Sequence, residues 1–76
     1  MASTVDIKLP AVVTLVNGSD RAIGIVPYRE NFTAYIPAGD TLKIEAETAG
    51  QVLYYLAQKT DGLTVTQAAK VVSPGK

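Results

Sequence analysis

The chain has no histidine, no cysteine and no tryptophan, and its seven acidic and seven basic side chains cancel to a formal net charge of zero over 76 residues. Each absence excludes a class of function. Without imidazole there is no general base suited to neutral pH and no neutral nitrogen ligand for a metal. Without thiolates there is no sulfur nucleophile, zinc knuckle or disulfide staple. With acids and bases interspersed and balanced, no basic stripe is present to neutralise a phosphate backbone, so nucleic acid is not an expected partner. No apolar run approaches the roughly 20 residues that a membrane helix requires. Met1 to Asp6 has neither the basic stretch nor the apolar stretch of a secretory signal. The expectation is a soluble protein made in a cytoplasm, with no membrane partner.

A chain of this length is expected to form a single domain, residues 1–76. A domain so small buries only about 60% of the surface its unfolded chain exposes. Lacking staples, it must draw stability from tight packing or from contacts with other chains, which raises the prospect of self-association. Apolar residues nevertheless make up 47% of the sequence, and their spacing is informative.

Most of that spacing has a period of two. Val5, Ile7 and Leu9 alternate with Asp6 and Lys8, which predicts a strand from Thr4 to Leu9 that Pro10 interrupts. Residues 1–10 are thus either a strand of this domain or an arm lent to a neighbour. Ala11 to Val16 is a β-branched run ending in Asn17-Gly18-Ser19-Asp20, a sequence suited to a tight hairpin turn, with Arg21 to Val26 as the expected return strand. Phe32 to Ile36 predicts another short strand, Pro37-Ala38-Gly39-Asp40 a turn, and Thr41 to Glu47 a strand whose Leu42, Ile44 and Ala46 face inward.

The period changes at Thr48. Thr48-Ala49-Gly50-Gln51 has the spacing of a capping box, and the following Val52 to Lys59 predicts a short helix over about 49–59, with Lys59 near its negative end and Asp61-Gly62 as the stop. Val-Leu-Tyr-Tyr-Leu is also good strand sequence, so a strand is the alternative there. Leu63 to Thr66 predicts a last strand, and 67–76 loses pattern and is expected to be a mobile tail. The expected fold is mostly β: a small antiparallel β-sandwich or barrel of five to six short strands with one short helix.

No catalytic constellation is visible, and neither a cofactor nor a metal is expected. Asp40, Glu45 and Glu47 read as carboxylates on a solvated, mixed-charge face beside Lys43, not as a converging set. The six glycines stand singly, so no phosphate-cradling loop is encoded. Asn17 and Asn31 each sit in an Asn-x-Ser/Thr pattern, which turn and loop roles explain. The segment from Pro27 to Phe32 combines aromatic rings with a guanidinium. Tyr28, Arg29 and Phe32 read either as a docking tip or as an ordinary loop whose rings fold back over the core. Tyr54 and Tyr55 are adjacent, so a helix cannot bury both on one side, and at least one belongs at an edge or a subunit contact. These five residues are the candidate partner-binding set.

The order of the runs Val13–Ile25, Ile36–Ile44 and Thr48–Leu56 resembles small virion proteins of tailed bacteriophages, in which an "N-x-S-D" hairpin, a "P-x-G-(D/E)" turn and a strand leading into a short helix recur. The likeness spans about Val13 to Leu63. It implies a non-enzymatic structural protein of the capsid decoration or cement kind, with a capsid or other virion protein as partner, self-association, and a location in the virion. The alternative is a soluble adaptor that recognises a protein partner through a strand edge or the Tyr28–Phe32 loop.

Overall fold

A computed structural model describes residues 7–70. Five strands and one helix follow one another: β1 (Ala11–Asn17), β2 (Ile23–Ile25), β3 (Ala34–Ile36), β4 (Thr41–Ala46), α1 (Ala49–Leu56) and β5 (Leu63–Ala69). They form two antiparallel sheets, a three-stranded one ordered β4-β1-β5 and a two-stranded one made of β2 and β3. The protein is therefore mostly β with one short helix, as expected, but its sheets do not close into a barrel.

The period-two pattern is obeyed along β1 and β4 and along β5 as far as Gln67. Ala11, Val13, Leu15 and Asn17 of β1 are fully buried, and the register sets Val13 between Ile44 and Gln67, and Leu15 between Leu42 and Val65. A strand exposes alternate residues on opposite faces, so this register gathers one apolar face from all three strands. Ile25 and Ile36 of the smaller sheet and Val52 and Tyr55 of α1 complete the core. Burying each of these larger side chains contributes roughly 1.5–3 kcal/mol.

The capping box forms as the sequence predicts. Gln51 N–H donates to the Thr48 hydroxyl at 3.2 Å, and the Gln51 side-chain oxygen accepts from Thr48 N–H at 3.1 Å and from Glu47 N–H at 2.8 Å. The helix stops earlier than expected. Ala57 is its C-cap, and Gln58 N–H and Lys59 N–H bond to the carbonyls of Tyr55 and Leu56 three residues back, so Lys59 lies beyond the last helical turn. Gly62, at φ +83°, supplies the left-handed residue of the turn that Leu63 N–H closes onto Thr60 O at 2.9 Å.

Four expectations need correction. The Asn17–Asp20 segment does not make a hairpin: β1 pairs with β4 and β5, and β2, shorter than the expected Arg21–Val26, pairs with β3. A two-residue Asn-Gly hairpin turn needs positive φ at both positions, and neither Asn17 nor Gly18 has it. Ile7, Lys8 and Leu9 are not in a strand; Ile7 packs on the core while Leu9 stays 46% exposed. The rest of that expected strand, 4–6, lies outside the described residues, as does 71–76. The final strand continues past Thr66 to Ala69, because Gln67, Ala68 and Ala69 stay in register with Val13, Val12 and Ala11. Phe32 and Thr33 precede β3 and are not part of it.

Asn17 explains the replacement of the hairpin. Its side chain is fully buried, and its amide nitrogen donates to Arg21 O at 2.7 Å, Ile36 O at 2.8 Å and Pro37 O at 3.2 Å. Its oxygen accepts from Ser19 N–H at 2.9 Å and from the Ser19 hydroxyl at 2.6 Å. One amide thus satisfies main-chain groups at the end of β3 and before β2, and it ties the two sheets together where β1 ends.

Candidate functional site

Pro27 to Glu30 is a turn closed by Glu30 N–H onto Pro27 O at 3.0 Å, with Arg29 in the left-handed region at φ 64°. This conformation is uncommon for a residue with a β-carbon. It turns the Tyr28 ring back toward α1, where Tyr28 and Tyr54 meet edge to face at a centroid distance of 5.3 Å, and Tyr54 and Tyr55 at 5.2 Å. The Arg29 guanidinium lies 6.0 Å from the centre of the Tyr28 ring, at the outer limit of a cation–π contact.

Hydrogen bonds fix the cluster. Tyr28 N–H donates to the Tyr55 hydroxyl at 2.7 Å, and the Tyr54 hydroxyl donates to Val26 O at 2.6 Å. Gln58 closes on the same residue from both sides: its nitrogen donates to Val26 O at 3.1 Å and its oxygen accepts from Val26 N–H at 3.3 Å. This amide gives Val26 the donor and acceptor that a neighbouring strand would have given.

Of the five sequence-predicted residues, Tyr28, Arg29, Tyr54 and Tyr55 come together and Phe32 stands apart. Tyr55 is a core residue at 3% exposure whose hydroxyl accepts from the Tyr28 main chain, and Tyr54 is the ring of the pair nearer the surface. Tyr28 and Tyr54 are half-buried and pack against the core, which is the fold-back reading of the loop. Phe32 is 53% exposed.

Sequence reasoning missed Tyr35, at 69% the most exposed large hydrophobic residue among the described residues. It pairs with Gly24 across β2 and β3, and a β-carbon on Gly24 would lie 2.9 Å from the Tyr35 ring and 2.7 Å from the Thr33 methyl. The glycine in the strand is what lets the ring approach the smaller sheet this closely. The available signal was the single Gly24 between two isoleucines, which marked a close approach without saying to what.

The outer face of the larger sheet is also uncovered. Thr14, Val16, Thr41, Lys43, Thr64 and Thr66 share it by parity and register. At one end of this face the Lys70 ammonium reaches Glu45 at 3.0 Å, a partly exposed ion pair that links the two outer strands across β1. Among the described residues no set of three acidic side chains converges as metal ligands would, no cavity opens, and no helix is long and apolar enough to cross a membrane. Comparisons with protein-family models, with curated proteins and with solved structures return no match for this chain.

Proposed function

We propose that this chain is a non-enzymatic structural protein that docks in many copies on the outer surface of a tailed-phage capsid, as a decoration or cement protein. The observation that carries the reading is the pair of exposed rings at and beside β3, Phe32 and Tyr35, at 53% and 69% exposure. The exposed part of an aromatic ring contributes little to the isolated domain, whereas tyrosine is the kind of anchor that protein interfaces bury. The ring of Tyr35 is held over Gly24 at little further cost in freedom when a partner covers it. Repeated contacts on a lattice would also stabilise a thin core by mass action, since only the folded chain binds.

The test is purification of particles from the source of the chain on a density gradient, with the chain counted against the major capsid protein. The expected result is many copies per particle, and a Phe32→Ser/Tyr35→Ser variant that stays folded but leaves the particle. A chain found only in the soluble fraction would overturn the reading. The outer edge of β4, along which no described strand lies, favours the second reading, an adaptor that takes a partner's strand there.

A further inference from the structure

β4 is an edge strand whose open side carries a charge pattern complementary to itself. Asn17 N–H bonds to Asp40 O at 2.9 Å at the start of the β1–β4 ladder. In an antiparallel ladder the residues that bond to a given neighbour alternate. The register therefore turns the main-chain groups of Leu42, Ile44 and Ala46 toward β1 and those of Thr41, Lys43 and Glu45 outward. Among the described residues no strand lies on that outward side. Lys43 is exposed, and Leu42 and Ile44 are only half-buried, as edge positions are.

We propose that two copies of this chain pair edge to edge through β4, antiparallel about a two-fold axis at Ile44, so that Lys43 of each copy faces the partner's Glu45. In this register the outward main-chain groups of Lys43 and Glu45 meet in phase, and two opposite-charge pairs form across the junction. Ile44 meets the partner's Ile44 on the core side. A shift of one residue per copy toward Lys43 sets it against the partner's Lys43, and a shift toward Glu45 sets two carboxylates opposite each other and offers Lys43 only Glu47, which lies past the end of β4 with its N–H bonded to the Gln51 side chain. Like charges facing each other across strands are destabilising, so the pattern selects one register against its neighbours. Intramolecular pairing with Lys70 leaves Glu45 63% exposed in its side chain and able to take a second cation. A two-fold axis makes the contact self-complementary and closed, giving one sheet of three strands from each copy and no open-ended filament.

The inference deepens the self-association in the functional reading and rests on it only there; it does not require a capsid. The experiment is light scattering of the full chain over a concentration series, for wild type, Lys43→Glu, Glu45→Lys, the double swap, and an equimolar mixture of the two single variants. The wild type is expected to reach the mass of two chains. Each single variant replaces both attractive pairs by repulsive ones and should raise the dissociation constant roughly tenfold or more. The double swap and the mixture restore opposite charges and should dimerise again. The circular-dichroism β signal of every variant is expected to match wild type, since both side chains are exposed. A wild type that stays monomeric at the highest concentration, or a dimer indifferent to the single swaps, would overturn the inference. A monomer that still binds particles overturns this pairing alone; a dimer that follows the swaps while absent from particles overturns the capsid reading alone.

Discussion

Replacing Asn17 by aspartate changes one atom of the side chain and tests the joint between the sheets. Asn17 is fully buried and donates to Arg21 O, Ile36 O and Pro37 O. An ionised carboxylate has no donor and would set negative charge against three carbonyl oxygens. Losing the two shorter bonds and leaving their acceptors unsatisfied costs about 1–3 kcal/mol each. The total at pH 7 is about 3–5 kcal/mol, against a whole-domain stability of about 4–11 kcal/mol for a chain of this size. Burial among carbonyls raises the folded-state pKa of the new carboxyl above its unfolded value of about 3.9. The native state then holds the proton more tightly. Stability of Asn17→Asp is therefore greatest below the unfolded pKa, falls as pH rises between the two values, and stays low above the folded one. When protonated, the carboxyl regains one donor, and the cost should shrink to about 1–2 kcal/mol. Asn17→Ala removes these bonds together with the acceptor of Ser19 N–H and the Ser19 hydroxyl, but adds no charge, so its cost, about 3–5 kcal/mol, should not follow this pH course. Urea denaturation at pH 7 and near pH 3.5, each variant against wild type at the same pH, measures both. With a slope of about 1 kcal/mol per molar, the pH 7 midpoint of Asn17→Asp should fall by about 3–5 M. A midpoint equal to wild type at pH 7, or a pH dependence no larger than that of Asn17→Ala, would refute the reasoning.

Three further substitutions probe other joints. Gly62→Ala forces a β-carbon into the left-handed region and to 2.8 Å from Ser19 Cβ; it should cost about 1–3 kcal/mol, read as a lower thermal midpoint. Tyr55→Phe leaves Tyr28 N–H without its acceptor and should cost about 1 kcal/mol, with faster amide exchange at Tyr28 as the specific signature. Thr48→Ala removes the helix cap and should cost about 1 kcal/mol, which Thr48→Asp should largely avoid; equal losses for both would show that the hydroxyl bond to Gln51 contributes nothing.

What the sequence made legible is what one side chain or one short spacing encodes. Thr41 to Ala46 alternates because one face of that strand packs, and Thr48 with Gln51 announces a cap, since both signals are local. Strand partnership is not local. The alternation in β1 states which residues point inward but is silent on whether β2 or β4 lies alongside. Asn-Gly after a β-branched run is correct for a hairpin only if its φ angles turn positive; here they do not, because burying the Asn17 amide among carbonyls from 21, 36 and 37 satisfies more main chain than a tight turn would. The candidate surface was half legible for the same reason. The sequence marks Tyr28 as an aromatic in a loop, yet the left-handed turn at Arg29 that folds the ring inward is a backbone property. Tyr35 sits in a strand of mixed apolar residues, and its exposure depends on which face β3 turns to the core.

The buried amide of Asn17 also governs how this protein ages. Asparagine before glycine is a reactive pair, because a glycine nitrogen meets no β-carbon as it closes on the side-chain carbon; ammonia leaves, and water opens the ring to an acid. In the folded chain both reactants are engaged: the departing nitrogen is held by carbonyls, and Gly18 N–H is bonded to Gly62 O at 2.7 Å. Unfolding releases them together. The chemical lifetime of the chain is thus set by the fraction of time it spends open. The resulting carboxylate disfavours refolding at neutral pH, so an excursion that would otherwise reverse becomes permanent. Whatever holds the domain closed, including a second copy, slows that clock.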